Sequence, residues 1–460
     1  MSSRIFILPA WLVAAWLLAL PAQSQAACLD EDKVAPASPA ASPAASPAAV
    51  PLPRDPRSQL QTLVHDALMR SNGIGAARLL AEAASQDVEE ARANKKPQAS
   101  ITGSMIPTLG TGSSGNGSND SNSSQLQARA GLTLSQTLYD GGRSDRIIDW
   151  RHQQAEAARL GMLSTQEQIT LTTTSLAFER SRFRMQAVIY GQQLRKMACL
   201  VESLEAIVAA DKGRTSELVQ AKKQWQQTEL QQSQAQSQAR QIEAKLRRIV
   251  GDGLPGTEGL SSLLLSVPEL PAVLSAAERS SDISQLDANT AALREIARVV
   301  EAGNKPQVRW SIGGNALLAV GAGSPRNAGI SAGITLNIPL LNPALEYSAL
   351  AARKRADAAA LQRAEMLEQR RQRIVEVHEQ AAAAFDRLRR VGLVLRDSDR
   401  LRNFTLQQWQ QLGRRSLFDV IGAETDHYSL RVQYVNALHD GQQMNAMLTS
   451  LGSGLASWLQ

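Results

Sequence analysis

The sequence predicts an α+β fold, mostly α and internally duplicated, in which very long helices alternate with strands suited to crossing a membrane. Three observations carry this. Landmarks recur with a period of about 200 residues. Helical stretches run for about 70 residues before a break. Short segments between them alternate apolar and polar residues with a period of two, as a strand with one dry and one wet face does.

Composition suits the helices. Aromatic residues make up 4% of the 460-residue chain, while Ala, Gln, Glu and Arg abound, the usage of helices packed closely side by side. The net charge of +6 is mild. Its basic residues are interspersed with acids along helical segments, which marks solvated faces and not a nucleic-acid footprint.

The N-terminus reads as a secretory signal over residues 1–26: Arg4, an apolar run from Ile5 to Ala22, then small residues for cleavage near Ala26 or Ala27. No later uninterrupted apolar stretch reaches about 18 residues, so no further membrane-spanning helix is expected. Cys28 stands where a bacterial lipoprotein carries its lipid. Gln25, however, occupies a position that is normally apolar in such signals, so lipidation of Cys28 stays open. Cys199, the other cysteine, reads as a small packing residue in a helix. Residues 27–56 form a Pro/Ala/Ser-rich leader unable to build a core.

Beyond the leader the chain states its layout twice. "NKKPQASITGS" from Asn94 answers "GNKPQVRWSIGG" from Gly303; "GLTLSQTLYDGGR" from Gly131 answers "GITLNIPLLNPAL" from Gly333; "GRTSELVQA" from Gly213 answers "GRRSLFDVIGAE" from Gly413. A first repeat over 57–251 and a second over 276–460, joined by a linker at 252–275, follow from this order. Each holds a lead-in helix (about Arg57–Ala93 and Ala276–Ala302), strands (about 97–139 and 306–341), a helix of about 70 residues, a Gly-Arg turn and a shorter returning helix. At about 1.5 Å per residue the long helices reach roughly 100 Å, a length for coiled-coil or tube-like assemblies.

In the strands, Leu126, Ala128, Ala130, Leu132 and Leu134 alternate with Gln127, Arg129, Gly131, Thr133 and Ser135. Val308, Trp310, Ile312 and Ala316 alternate with Gln307, Arg309, Ser311 and Asn315. In the last strand Ala328, Ile330, Ala332, Ile334, Leu336 and Ile338 alternate with Gly329, Ser331, Gly333, Thr335 and Asn337. A soluble sandwich predicts the same alternation. The secretory signal, and helices that offer no compact layer to cover such a sheet, favour lipid on the dry face. An open sheet edge in lipid leaves backbone groups unpaired at several kcal/mol each, and four strands fall short of the roughly eight that close a barrel. Copies of the chain must then pool strands around an axis, with Arg129, Arg309, Asn315 and Asn337 lining a watery pore. Arg129 and Arg309 either tune that pore toward anions or are merely solvated.

With "SQTLYDGGR", "GRTSELVQA" and "GRRSLFDVIGAE" in order within a duplicated strand–long-helix layout, the chain resembles the TolC-like outer-membrane channel family from about Asp55 onward. The resemblance implies a homotrimer in the outer membrane of a Gram-negative bacterium, with a 12-stranded barrel and a periplasmic α-helical barrel. It implies the exit duct of a tripartite efflux or type I secretion system, working with a periplasmic adaptor and an inner-membrane transporter of the ABC or RND type. The cargo, drug or secreted protein, is left open. A second reading, an envelope-spanning structural coiled coil without transport, lacks a use for a wet lumen.

The resemblance places adaptor contacts at the two turns, on Gly213, Arg214, Thr215 and Ser216 and on Leu412, Gly413, Arg414, Arg415 and Ser416. By residue chemistry the glycines suit a left-handed helix end, and Thr215, Ser216 and Ser416 suit helix capping. Some relatives ring the closed aperture with acids shortly before the second turn. "NFTLQQWQQLG" (Asn403–Gly413) has none, leaving Phe404, Gln407 and Gln408 as candidates to constrict it or simply to pack between helices. Catalytic patterns are weak: "HEQAA" at His378 misses the second His of a zinc-protease helix, the remaining histidines are scattered, and no phosphate loop occurs. No enzyme, metal or cofactor is expected.

Overall fold

The computed structural model describes residues 55–112, 121–320, 326–412 and 415–460. The expected signal peptide, most of the leader, Cys28, and Gly413 and Arg414 of the second turn lie outside them. The described residues fall into two compact units. One comprises 56–178, 245–384 and 440–460; the other holds 179–244 and 385–439.

The first unit carries the sheet. Strands β1 (Gln98–Gly112), β2 (Ser121–Tyr139), β3 (Gln307–Val320) and β4 (Arg326–Asn337) lie in the order β1-β2-β3-β4, every neighbouring pair antiparallel. β4 stops at Asn337, so Ile338, read as its last dry residue, lies beyond it.

The first lead-in, expected as one helix, is two. α1 (Pro56–Arg70) and α2 (Asn72–Ala93) part at Ser71, whose Oγ accepts from the Ile74 N–H at 3.3 Å and starts a new helix. In the linker and second repeat, α5 (Leu270–Ala277) is followed by α6 (Ser281–Ala302). The long helices are α3 (Arg143–Ala210) and α7 (Pro343–Leu412), and they return as α4 (Thr215–Val250) and α8 (Leu417–Leu451). A short α9 (Leu455–Leu459) closes the chain. No described helix is long and apolar enough to cross a membrane.

The joins between sheet and long helices differ. After β2, Gly141 and Gly142 take φ of +67° and +84°, a region open to glycine. A Cβ at Gly141 would collide with the Lys305 side chain, whose Nζ donates to the Gly141 carbonyl at 3.1 Å. Asp140 accepts from the Gly142 N–H at 3.1 Å and the Ser144 N–H at 2.7 Å. Asp140 therefore caps this turn at the start of the long helix. In the second repeat Pro343 begins α7, where its missing N–H costs nothing.

Polar side chains of α8 bind the inter-repeat linker in this unit. Buried Gln442 donates to the carbonyls of Leu260 and Leu263, and buried Asn445 to those of Leu264 and Ser266. They hold Leu264 at φ 53°. Glu167 of α3 caps α9, accepting from the Leu455 and Ala456 N–H groups at 2.6 and 3.1 Å.

In the second unit, Met197, Leu200, Leu204, Ala221, Leu406, Leu417, Val420 and Ile421 form one apolar cluster. Buried Arg180 bonds Glu243 at 3.0 Å, and Arg184 pairs with the same carboxylate.

Candidate functional site: the two-faced sheet and the helix turns

Register decides which strand residues share a face. Ile101 pairs with Leu132, Leu132 with Gly314 and Gly314 with Ile330, so one row crosses all four strands. The rows Gly103–Ala130–Ala316–Ala328 and Ala99–Leu134–Ile312–Ala332 flank it on the same face. This face is bare: Ile101 is 83% and Ile330 88% exposed. Toward the helical end it carries Trp310, whose Nε1 donates to Gln136 Oε1 at 3.2 Å. The opposite face holds Ser100–Thr133–Gly313–Ser331 and Thr102–Gly131–Asn315–Gly329. Arg129 sits there between Ser104 and Leu317, Arg309 between Thr137 and Thr335, and Asn337 beside Gln307. The four residues assigned to a pore thus share one face. Leu317 is an apolar exception on it that alternation did not foretell.

The turns belong to the other unit, and the cluster of Leu204, Ala221, Leu406 and Leu417 holds both at the same end of it. At the first, Asp211 Oδ1 accepts from the Gly213 N–H at 2.9 Å, and residues Lys212–Arg214 form one 3-10 turn. Gly213 does not take the left-handed conformation expected of it, because the Asp211 carboxylate closes the turn instead. Thr215 is no cap either. It is the first residue of α4, and its hydroxyl donates back to the Lys212 carbonyl at 2.7 Å. At the second turn Ser416 does cap: its Oγ accepts from the Asp419 N–H, and Asp419 Oδ2 accepts from the Ser416 N–H. Arg214, Thr215, Ser216, Arg415 and Ser416 are all exposed. Val219 and Phe418 are exposed beside them. The sequence reading missed these two and Asp211, although Asp-x-Gly is a legible turn signal.

Residues 63–252 match the family described as outer membrane efflux protein. Over 86% of the chain, the fold superposes on CusC with a TM-score of 0.76 and 17% identity, covering 92% of that structure. It likewise matches VceC from Vibrio cholerae (TM-score 0.71, 17% identity, 86% of this chain and 96% of that one). MtrE of Neisseria gonorrhoeae in its open state gives 0.69 and 15%, covering 86% and 89%. No curated protein is a significant sequence match. The family match covers less than half of the 460-residue chain, and the likeness to the solved structures is one of fold.

Of the candidate aperture residues, Phe404 and Gln407 are exposed, and Gln408 Oε1 accepts from Arg415 Nε at 3.2 Å. The last contact ties the end of α7 to the start of the returning arm. Nearby, buried Arg402 pairs with Asp399 at 2.9 Å and approaches Glu424 of α8 at 3.6 Å. Among the described residues no His, Cys, Asp and Glu cluster could hold a metal ion.

Proposed function

We propose that this chain is a TolC-like outer-membrane efflux protein, three copies of which close a twelve-stranded barrel in the outer membrane and serve as the exit duct of a tripartite efflux assembly. The carrying observation is a four-stranded sheet whose outer strands β1 and β4 each have one unpaired edge and whose apolar face is uncovered. In hydrocarbon such edges must find partners, and copies of the same chain supply them symmetrically. Arg129, Arg309, Asn315 and Asn337 then line the lumen. The two turns, with Arg214 and Arg415 outward, meet the hairpins of a periplasmic adaptor, which links the duct to an energised inner-membrane transporter of the ABC or RND type. Cargo passes passively. A non-transporting spacer gives no account of a continuous wet face on the sheet.

The purified protein should migrate as a heat-modifiable trimer in detergent and conduct ions in planar bilayers. A water-soluble monomer without conductance overturns the proposal.

A further inference from the structure

The strands are charged with one sign only. β1 to β4 contain three ionisable side chains that are charged at neutral pH, Arg129, Arg309 and Arg326, and no Asp, Glu or Lys. Register puts Arg129 and Arg309 on the same polar face, eight residues apart along β2 (129 to 137), or about 27 Å at about 3.4 Å per residue.

The lower tier is reinforced where sheet meets helix. Lys96 from the turn before β1, Arg143 at the start of α3 and Arg309 from β3 line one polar pocket. The single carboxylate in that lining, Asp140, is already bonded to the N–H groups of Gly142 and Ser144. Neighbouring cations are accounted for differently: Lys95 pairs with Asp145 at 2.7 Å and Lys305 with the Gly141 carbonyl. Lys96, Arg143 and Arg309 are all exposed.

We infer that the barrel section is an anion-selective filter, with Lys96, Arg143 and Arg309 as its principal collar and Arg129 as a second, weaker tier. The inference rests on the duct reading above and refines it by naming the favoured class of solute, small anions and anionic cargo. Charges of one sign in a passage with low-dielectric walls focus the field. A potential of one kT enriches anions and depletes cations by about e each, which is about sevenfold in their ratio. At about 0.15 M salt the Debye length is about 8 Å, so the two tiers act separately.

The test is the reversal potential of the purified protein in phosphatidylcholine planar bilayers across a tenfold KCl gradient. The wild type should show the chloride-favouring sign. Lys96→Gln/Arg143→Gln/Arg309→Gln should lower the chloride-to-potassium permeability ratio by about sevenfold, Arg129→Gln alone by less, and Arg309→Lys should leave it unchanged. Should the triple variant fail to insert, wild type in about 1 M salt, where the Debye length is about 3 Å, should drift toward no selectivity. A wild type that conducts without preference or favours potassium overturns the filter and leaves the duct standing, as does a ratio unmoved by the triple variant or by salt. A protein that conducts nothing overturns the duct, and the filter with it.

Discussion

Ser416 and Asp419 satisfy each other's backbone: the Asp419 N–H donates to Ser416 Oγ and the Ser416 N–H to Asp419 Oδ2, both at 3.3 Å. This reciprocal cap fixes where α8 begins and how the second turn presents Arg415. Ser416→Ala should weaken it by about 1 kcal/mol, read as roughly fivefold faster hydrogen exchange at the first amides of α8. Ser416→Thr should leave exchange near wild type.

If the two turns meet the adaptor, their arginines contribute to recognition through charge. Arg214→Glu/Arg414→Glu should abolish transport while trimers remain in the outer membrane at normal abundance. Export assays paired with gel migration of unheated samples measure both; normal export in the double variant removes the turns from the interface.

Glu243 is partly buried, and burial by itself would raise its pKa. The guanidinium groups of Arg180 and Arg184 outweigh that and hold the carboxyl below its ordinary value of 4.5. A depressed folded-state pKa contributes stability that is full above the unfolded value and is lost as pH falls through the folded one. Thermal melting should therefore fall below about pH 4.5 more steeply in wild type than in Glu243→Gln. The variant should be the less stable of the two at neutral pH.

The two faces of the sheet should respond oppositely to charge. Ile101→Lys or Ile330→Lys in the bare apolar row should cost about 2–4 kcal/mol in lipid. Thr133→Lys, one register row away on the polar face, should be tolerated. Urea titration of folding into lipid vesicles distinguishes them, and equal losses at both positions would remove the lipid from the dry face.

Strand faces were legible because alternation is local: neighbouring side chains along one strand already separate Leu132 from Thr133. Other features depend on elements far apart in sequence. Gln442 and Asn445 look like solvated helix residues until they meet linker carbonyls some 180 positions earlier. Glu243 is equally ordinary in a Gln-rich helix, and Arg180 precedes it by 63 residues. The break at Ser71 hid for another reason. Apolar periodicity runs on through it, and the cap alone starts a second helix. At the first turn a glycine suggested backbone conformation, whereas Asp211 supplies the closure by its side chain.

The ladder between β2 and β3, from Leu126 with Val320 to Tyr139 with Val308, is where the two repeats are stitched together within the sheet. Half-length chains would need six molecules to complete the proposed cylinder; this polypeptide needs three, because half of the seams are tethered from birth. A tethered seam closes at an effective concentration on the order of millimolar, far above that of free subunits in a crowded envelope. Duplication followed by fusion thus lowers the molecularity of closure, and with it the time that raw strand edges spend exposed to the wrong partners.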